Sequence, residues 1–288
     1  MDSKDLLKRI KEDHIKFISF QFTDVNGVVK SVDGPINRME KALEDGIWFD
    51  GSSVEGFARI QESDMHLVVD PDTYAILPWT PDDMKRARVL CDIFKPNGQP
   101  FEGDPRGVLK RRLARVKEDK KWIMNIGPEP EFFLFLQNGK ETVHPVPHDV
   151  GGYFDFSAND EAVQVRTELM DALSEMGLEI EMGHHEVALG QHEIDFRFAD
   201  ALKTADNVLT LKYAVKAIAA QHGLPRRPYA GRYTVGCGPR PRHPPAPRGP
   251  KSPAGRSAAP APSRRIASAR RSRPAPAPAP RRPAAPWR

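Results

Sequence analysis

The chain changes character at one point. From Pro225 to Arg288 there are 16 Lys/Arg and 17 of the 28 prolines, with neither Asp nor Glu. A segment of that composition has too little apolar content to offset the entropy of ordering a chain. It therefore predicts a disordered tail and confines any fold to residues 1–224. The net charge of +4 is an average over two unlike parts. Of the 43 Lys/Arg, 27 remain in the first 224 residues against all 39 Asp/Glu, so the body is acidic at −12 and carries a basic appendage.

A body of that length can hold two domains and bury a sizeable core. No stretch of eighteen apolar residues occurs, and the start, Met1-Asp2-Ser3-Lys4-Asp5, lacks the apolar segment of a secretory signal. The two cysteines, Cys91 and Cys237, form neither a disulfide framework nor a metal-type spacing. These features predict a reduced, cytoplasmic protein with no membrane association.

Hydrophobic periodicity outlines an α+β protein. Residues 4–14 read as an amphipathic helix with Leu6, Leu7 and Ile10 on one side. In residues 15–24, Ile18, Phe20 and Phe22 alternate as in a half-buried strand, Asn26-Gly27 is a hairpin turn, and 28–32 is the return strand. A helix over 37–45 and strands at 67–69 and 74–77 complete a first unit, residues 1–98, closed by the turn Lys95-Pro96-Asn97-Gly98. The second unit, 104–224, opens with Asp104 capping a helix to about Lys120. It continues with a strand at 132–135, a helix over 160–176, two strand-like runs around 178–198 and a last helix at about 200–222. Residues 225–288 form the tail.

Two segments concentrate carboxylates beside apolar runs. In Gly127-Pro128-Glu129-Pro130-Glu131-Phe132-Phe133-Leu134-Phe135, an extended backbone puts Glu129 and Glu131 on one face, roughly 6–7 Å apart. Like charges that close raise each other's pKa unless a cation intervenes. In His184-His185-Glu186-Val187-Ala188-Leu189-Gly190-Gln191-His192-Glu193-Ile194-Asp195, a two-residue turn at Leu189-Gly190 makes Glu186 and Glu193 cross-strand partners. All-oxygen clusters suit hard cations such as Mg²⁺ or Mn²⁺. The residues alone support a divalent-metal site of unspecified identity, with solvated strand edges as the competing reading.

These two segments resemble signature segments of the type I glutamine synthetases. Further matches follow the family's order: Phe49-Asp50-Gly51-Ser52-Ser53-Val54-Glu55-Gly56 running on to Glu62-Ser63-Asp64-Met65, then Gly152-Tyr153-Phe154-Asp155, and Ala205-Asp206-Asn207. The resemblance spans residues 15 to 224. It implies a small N-terminal β-grasp domain followed by part of a catalytic domain built of antiparallel sheet with helices. It also implies ATP-dependent ligation of ammonia to L-glutamate through a γ-glutamyl phosphate. By the same resemblance, Glu131, Glu186 and Glu193 are ligands of a first Mg²⁺ or Mn²⁺, Glu129 is a ligand of a second, and Glu181 contacts the nucleotide. Asp50 binds and helps deprotonate ammonium, with Asp64 in the same segment, and this loop serves a neighbouring subunit of a ring (a dodecamer in the family). His184 and His185 are packed or solvated side chains rather than ligands.

The departure begins after Leu224. The family's Ala-Thr-Phe-Met-Pro-Lys-Pro and Asn-Gly-Ser-Gly-Met-His segments are replaced by Pro225-Arg226-Arg227-Pro228-Tyr229 and a proline- and arginine-rich run, so the resemblance implies an incomplete second metal site and a chain inactive alone. Restoring one base after the Leu224 codon permits Thr-Ala-Thr, and an Arg-Pro-Ile-Tyr-Gly run built from Ala230 through Val235, in register with the family. The tail is therefore expected to be a frameshift product, genuine or from a sequence error, with a natural disordered extension as the alternative. Two other functions fit the sequence less well. Ligation of glutamate to another amine is disfavoured by the Asp50-Gly51-Ser52-Ser53 loop. A basic nucleic-acid-binding arm is disfavoured because the tail has few aromatics (Tyr229, Tyr233, Trp287) and no folded motif.

Overall fold

The structure is a computed structural model that describes residues 1–54, 56–57, 64–136, 146–156 and 161–222. The basic tail, for which disorder was expected, lies outside the described residues. Among the described residues no helix is long and apolar enough to cross a membrane.

Helix α1 (Ser3–Glu12) starts where the Asp2 carboxylate accepts from Asp5 N at 2.8 Å, and it buries Leu6 and Ile10 one turn apart. Strand β1 (Phe17–Thr23) forms where the alternation places it, but it is buried on both faces rather than half-buried, with Ser19, Gln21 and Thr23 covered as well as Ile18, Phe20 and Phe22. It turns through Asp24-Val25-Asn26-Gly27. Asp24 accepts from Asn26 N and Val28 N, both at 2.9 Å, and Gly27 takes the left-handed φ of 72° that the turn needs. The return strand β2 (Val29–Pro35) pairs antiparallel with β1, and helix α2 (Met39–Asp45) follows.

Three more strands complete the first sheet: β3 (Ile47–Asp50), β4 (Asp64–Ile76) and β5 (Arg86–Phe94). The order is β2-β1-β5-β4-β3, with β1 and β5 parallel and every other pair antiparallel. Ile18, Phe20, Leu67, Val89 and Ile93 pack under α1 and α2 as one apolar core. This is the β-grasp arrangement. The two short runs expected at 67–69 and 74–77 are one strand, because an irregularity between Asp70 and Ala75 absorbs Pro71. There Thr73 Oγ1 donates to Asp70 O at 2.7 Å and accepts from Leu90 N at 2.7 Å, standing in for a ladder bond. Strands β3 and β5 were not anticipated. β5 is the central strand although it carries Arg86, Arg88 and Asp92 at alternate positions.

Those charges find partners in the next layer. Helix α3 (Pro105–Lys120) is capped by Asp104, which accepts from Arg106 N at 3.1 Å and also from Ile93 N of β5 at 3.2 Å. Beyond it lie β6 (Asn125–Ile126), β7 (Glu131–Phe133), α4 (Glu161–Glu175), β8 (Ile180–His185), β9 (Gln191–Phe196), β10 (Ala199–Asp200) and α5 (Ala201–Gln221). β6 pairs with β10, and a three-stranded antiparallel sheet has the order β7-β9-β8. Phe132, Ile194 and Phe196 on one face of that sheet join Val165 and Leu169 of α4 and Leu211 and Val215 of α5 in a second core.

The buried Arg106 guanidinium joins the layers. Its Nε and NH2 donate to Asp206 of α5 at 3.0 and 2.9 Å, NH1 to Asp92 of β5 at 2.7 Å, and NH2 also to Asp70 of β4 at 2.8 Å. Arg88 of β5 adds a bond from NH2 to Thr210 Oγ1 of α5 at 2.7 Å. Removing one member of a buried ion cluster strands the others, at a cost of about 3–5 kcal/mol. Arg106→Ala is therefore expected to destabilise the body by that order, and Arg106→Lys to recover only part, since an ammonium cannot reproduce the planar fork. Urea unfolding followed by circular dichroism measures both; an Arg106→Ala midpoint equal to that of the unaltered chain contradicts the assignment.

Candidate metal centre

The three-stranded sheet separates two chemistries by alternation. Glu131 of β7 lies opposite Glu193 of β9, and Glu193 lies opposite His184 of β8. In the adjoining row, Phe132, His192 and His185 face the α4 side. One face of the sheet thus carries Glu131, His184, Glu193 and, two residues either way along β9, Gln191 and Asp195. Two sequence expectations change here. The hairpin between β8 and β9 has four loop residues, 187–190, not a two-residue turn: Glu186 N donates to Gln191 O at 2.8 Å and Gln191 N to Ala188 O at 3.0 Å. Glu193 therefore sits across from His184 rather than from Glu186, which lies two residues nearer the loop, opposite Gln191 on the same face. Strand β7 begins only at Glu131, so Glu129 precedes it, exposed, instead of sharing a strand face with Glu131.

Within this face His184, Glu186 and Glu193 each present one ligand atom, all within 4.8 Å of one another. His184 Nε2 lies 3.6 Å from Glu193 Oε2, and Nδ1 lies 3.7 Å from Glu186 Oε1. Glu186 Oε2 accepts from Val187 N at 3.0 Å, and Glu131 Oε2 accepts from Gln191 Nε2 at 2.6 Å. Glu193 is 7% exposed and faces other acceptors. Burial first, and then Glu186 and Asp195, push its carboxyl up to about 8. Burial also raises Asp195, helped by the nearby charges of Glu129 and Glu181 and opposed by its hydrogen bond with Glu193 and by His184. The fold thus draws Glu129, Glu181, Glu186, Glu193 and Asp195 into one electrostatic group beside Glu131. Asp195 and Gln191 were missed as members, although their two-residue spacing from Glu193 was the signal.

A second cluster lies on the other side of the sheet and does not behave as a metal site. His148, Asp149 and His192 are close enough to share an ion. However, His192 Nδ1 accepts from Arg166 NH1 at 2.7 Å, and an arginine can only donate. Nε2 must then carry the ring proton and has no lone pair to give. Burial and the Arg166 charge push His192 down to about 3, so the ring stays neutral. Asp149 acts as an anchor, accepting from His185 Nε2 at 3.0 Å and Gly190 N at 2.9 Å. Of the two readings left open by the sequence, packed or solvated, His185 is packed.

Asp50 and Asp64 lie elsewhere, as cross-strand partners at one end of β3 and β4. Asp50 accepts from Ser52 N at 2.9 Å, Ser52 Oγ at 2.6 Å and Ser53 Oγ at 3.3 Å, and these bonds hold its carboxyl below the usual range. Neither aspartate bonds to the carboxylate face. Glu55 and Glu62-Ser63 of the same segment lie outside the described residues.

A β-grasp sheet docked through a buried arginine onto a sheet with an acidic, oxygen-rich face defines a two-domain α+β protein. Two family models match it in succession, the glutamine synthetase β-grasp domain over residues 14–96 and the glutamine synthetase catalytic domain over 102–226. The chain belongs to the glutamine synthetase family. It is 52% identical over 223 residues to the glutamine synthetase of Thermus thermophilus and 52% identical over 224 residues to that of Methanosarcina mazei. These alignments take in 76% of this chain but 50% and 49% of the relatives, so the chain spans about half the length of the curated relatives it matches. Among solved structures, a complex of GmaS with ADP superimposes with a TM-score of 0.69 at 30% identity, covering 76% of this chain and 50% of that one. Plasmodium falciparum glutamine synthetase gives 0.69 at 24% identity, covering 77% and 49%, a likeness of fold alone.

The protonated Glu193 sets a pH dependence. Its folded-state pKa of about 8 exceeds the ordinary 4.5, so the folded chain binds more protons than the unfolded one between those values. Stability of the cation-free chain is then full below about pH 4.5 as far as this group is concerned, and falls as pH rises towards 8. Thermal unfolding in chelator across that range should show the fall, and Glu193→Gln should flatten it. Parallel profiles for the two chains would contradict the burial of this carboxyl among acceptors.

Proposed function

We propose that residues 1–224 are the half of an ATP-dependent glutamate–ammonia ligase that holds the first metal, and that this chain does not complete the reaction alone. The observation that carries this reading is the convergence of Glu131, Glu186 and Glu193 on one sheet face, with Glu129 and Glu181 close enough to affect the same titrating group. A carboxylate cluster with one member raised to about 8 is the electrostatic setting a divalent cation relieves, and oxygen donors suit Mg²⁺ or Mn²⁺. When bound, such ions neutralise the charge of a transferring phosphoryl group.

The chain's own residues divide the remaining work. Glu131, Glu186 and Glu193 hold the first cation, Glu129 gives one ligand to the second, and Glu181 meets the nucleotide. The last assignment is consistent with ADP being the ligand of the GmaS relative. Asp50, with its carboxylate oriented by Ser52 and Ser53, receives ammonium for a neighbouring subunit's site together with Asp64. That division requires a homo-oligomeric ring and suits a cytoplasmic enzyme of glutamine biosynthesis. We also propose that the tail from Pro225 is a frameshift product. Reading the neighbouring frame tests this: an Asn-Gly-Ser-Gly-Met-His-like segment within about twenty codons is expected, and its absence rejects the idea.

Calorimetry of the chain with Mn²⁺ should show binding that a Glu186→Ala, Glu193→Gln double variant abolishes; equal isotherms reject the site. The purified chain should make no glutamine, because losing even one preorganised charge-stabilising donor costs roughly 10²–10³ in rate and several are absent here. Synthesis dependent on ATP and ammonia, and abolished by Asp50→Ala, would overturn that expectation.

A further inference from the structure

We propose that the joint between the two domains carries a binding site for a small, uncharged, largely hydrocarbon molecule of bicyclic size, held between α3 and α5 beside the Arg106 cluster. The site is separate from the acidic sheet face, and the proposal does not depend on what binds there.

A cavity of about 310 Å³, open to solvent on one side, lies where α3, α5 and the segment 126–128 meet the end of β1. Pro105 and Leu109, one turn apart on α3, form one wall, and Val208 and Leu209 of α5 form another. Ile126 and Pro128 contribute the third. Protein interiors leave few voids larger than a water molecule, so a space of this size needs a reason to stay open. Polar tethers at its edges supply one. The Arg106 guanidinium donates to Asp206 at 3.0 and 2.9 Å and so fixes how closely α3 approaches α5. Thr204 Oγ1 donates to Ile126 O at 3.1 Å and Ala199 O at 3.2 Å and so fixes α5 against β6 and β10. The apolar walls cannot close on each other without breaking these bonds, at about 1–3 kcal/mol for each buried polar group left unpaired.

The lining decides the chemistry of the guest. Arg106 and Asp206 reach the cavity, but their charges already answer each other, and Arg106 serves Asp92 and Asp70 as well. With Lys110 beside Asp92 and Asp70, the cluster sets two positive charges against three negative ones, a balance of −1. That balance repels an anion. A cation would lose its hydration against hydrocarbon walls, and the one carboxylate in the lining is already held by Arg106. An uncharged apolar guest meets neither penalty and gains by removing its own surface and that of the walls from water. An apolar cavity of about 150 Å³ holds benzene, so the space here takes roughly two rings. Thr23 is the other hydroxyl-bearing residue of the lining, and a guest with one hydroxyl group therefore suits the site. Because Thr23 belongs to the first domain and α3 and α5 to the second, such a guest stabilises the docked arrangement by mass action.

The probes are 2-naphthol and its anionic counterpart of similar shape, 2-naphthoate, each added to the full chain at neutral pH. 2-Naphthol should raise the midpoint of thermal unfolding in a saturable way. Intermolecular NOEs should run from its ring protons to the methyl groups of Leu109, Ile126, Val208 and Leu209. 2-Naphthoate should bind at least about tenfold more weakly, since its charge must be desolvated without a partner. Ala205→Phe, which puts a ring into the cavity, should abolish the 2-naphthol shift. The absence of a saturable shift, a shift that survives Ala205→Phe, or NOEs only to methyl groups elsewhere overturns the site. Equal or tighter binding of 2-naphthoate overturns the assignment of an uncharged guest. If Ala205→Phe does not fold, the NOEs in the unaltered chain decide: contacts to those four residues support the proposal, and their absence overturns it.

Discussion

One guanidinium holds the protein together. Arg106 meets Asp70 and Asp92 from the first sheet and Asp206 from the last helix, and its planar fork serves all three while Lys110 adds a second positive charge beside Asp92 and Asp70. The consequences run along the chain. Asp104, two residues earlier, caps the same helix and accepts from β5. Twenty-five residues later the chain enters β7 with the carboxylate-bearing segment. Asp206 ties the first turns of α5 to that charge, in a helix that leaves the paired strand β10 and is capped by Asp200. Both ends of the catalytic segment are thus referenced to one charge in the interface.

From that reference the site is assembled by strand alternation. Neighbouring residues of β9 meet opposite conditions. His192 is wholly buried, beside an arginine that keeps it neutral, while Glu193 points into a ring of acceptors that keeps it protonated until a cation arrives. One residue of register shift would exchange them, placing carboxylates in the apolar core and rings in the acidic face. The apolar packing of Phe132, Ile194 and Phe196 therefore fixes the register, and the register decides which side chains can reach an ion.

Legibility in the sequence followed the range of the deciding contacts. The β1–β2 hairpin was readable because Phe20 and Phe22 alternate and Asp24 closes the turn locally. Helix α3 was readable from Asp104 and Pro105 for the same reason. Strand β5 was not, because Arg88 and Asp92 mark a solvated segment unless one knows that Thr210 and Arg106 lie opposite. The carboxylate segments announced themselves, and the order of the family's motifs was visible throughout. The hairpin between them was misjudged because Leu189-Gly190 has a local preference for a tight turn. Its actual path is set by Asp149, which takes Gly190 N from 41 positions away.

That same Asp149 has a mechanical consequence. Its two oxygens grip the imidazole of His185 beneath the sheet and the amide of Gly190 in the hairpin, and the segment it belongs to runs on into the aromatic pair beside His184. Floor, rim and side wall of the acidic recess therefore share a single fastening. The recess should move as one stiff body, with little independent flapping of its loop. Loading an ion would then be paced by how quickly the ion sheds its own water, since no wall has to be put in order first.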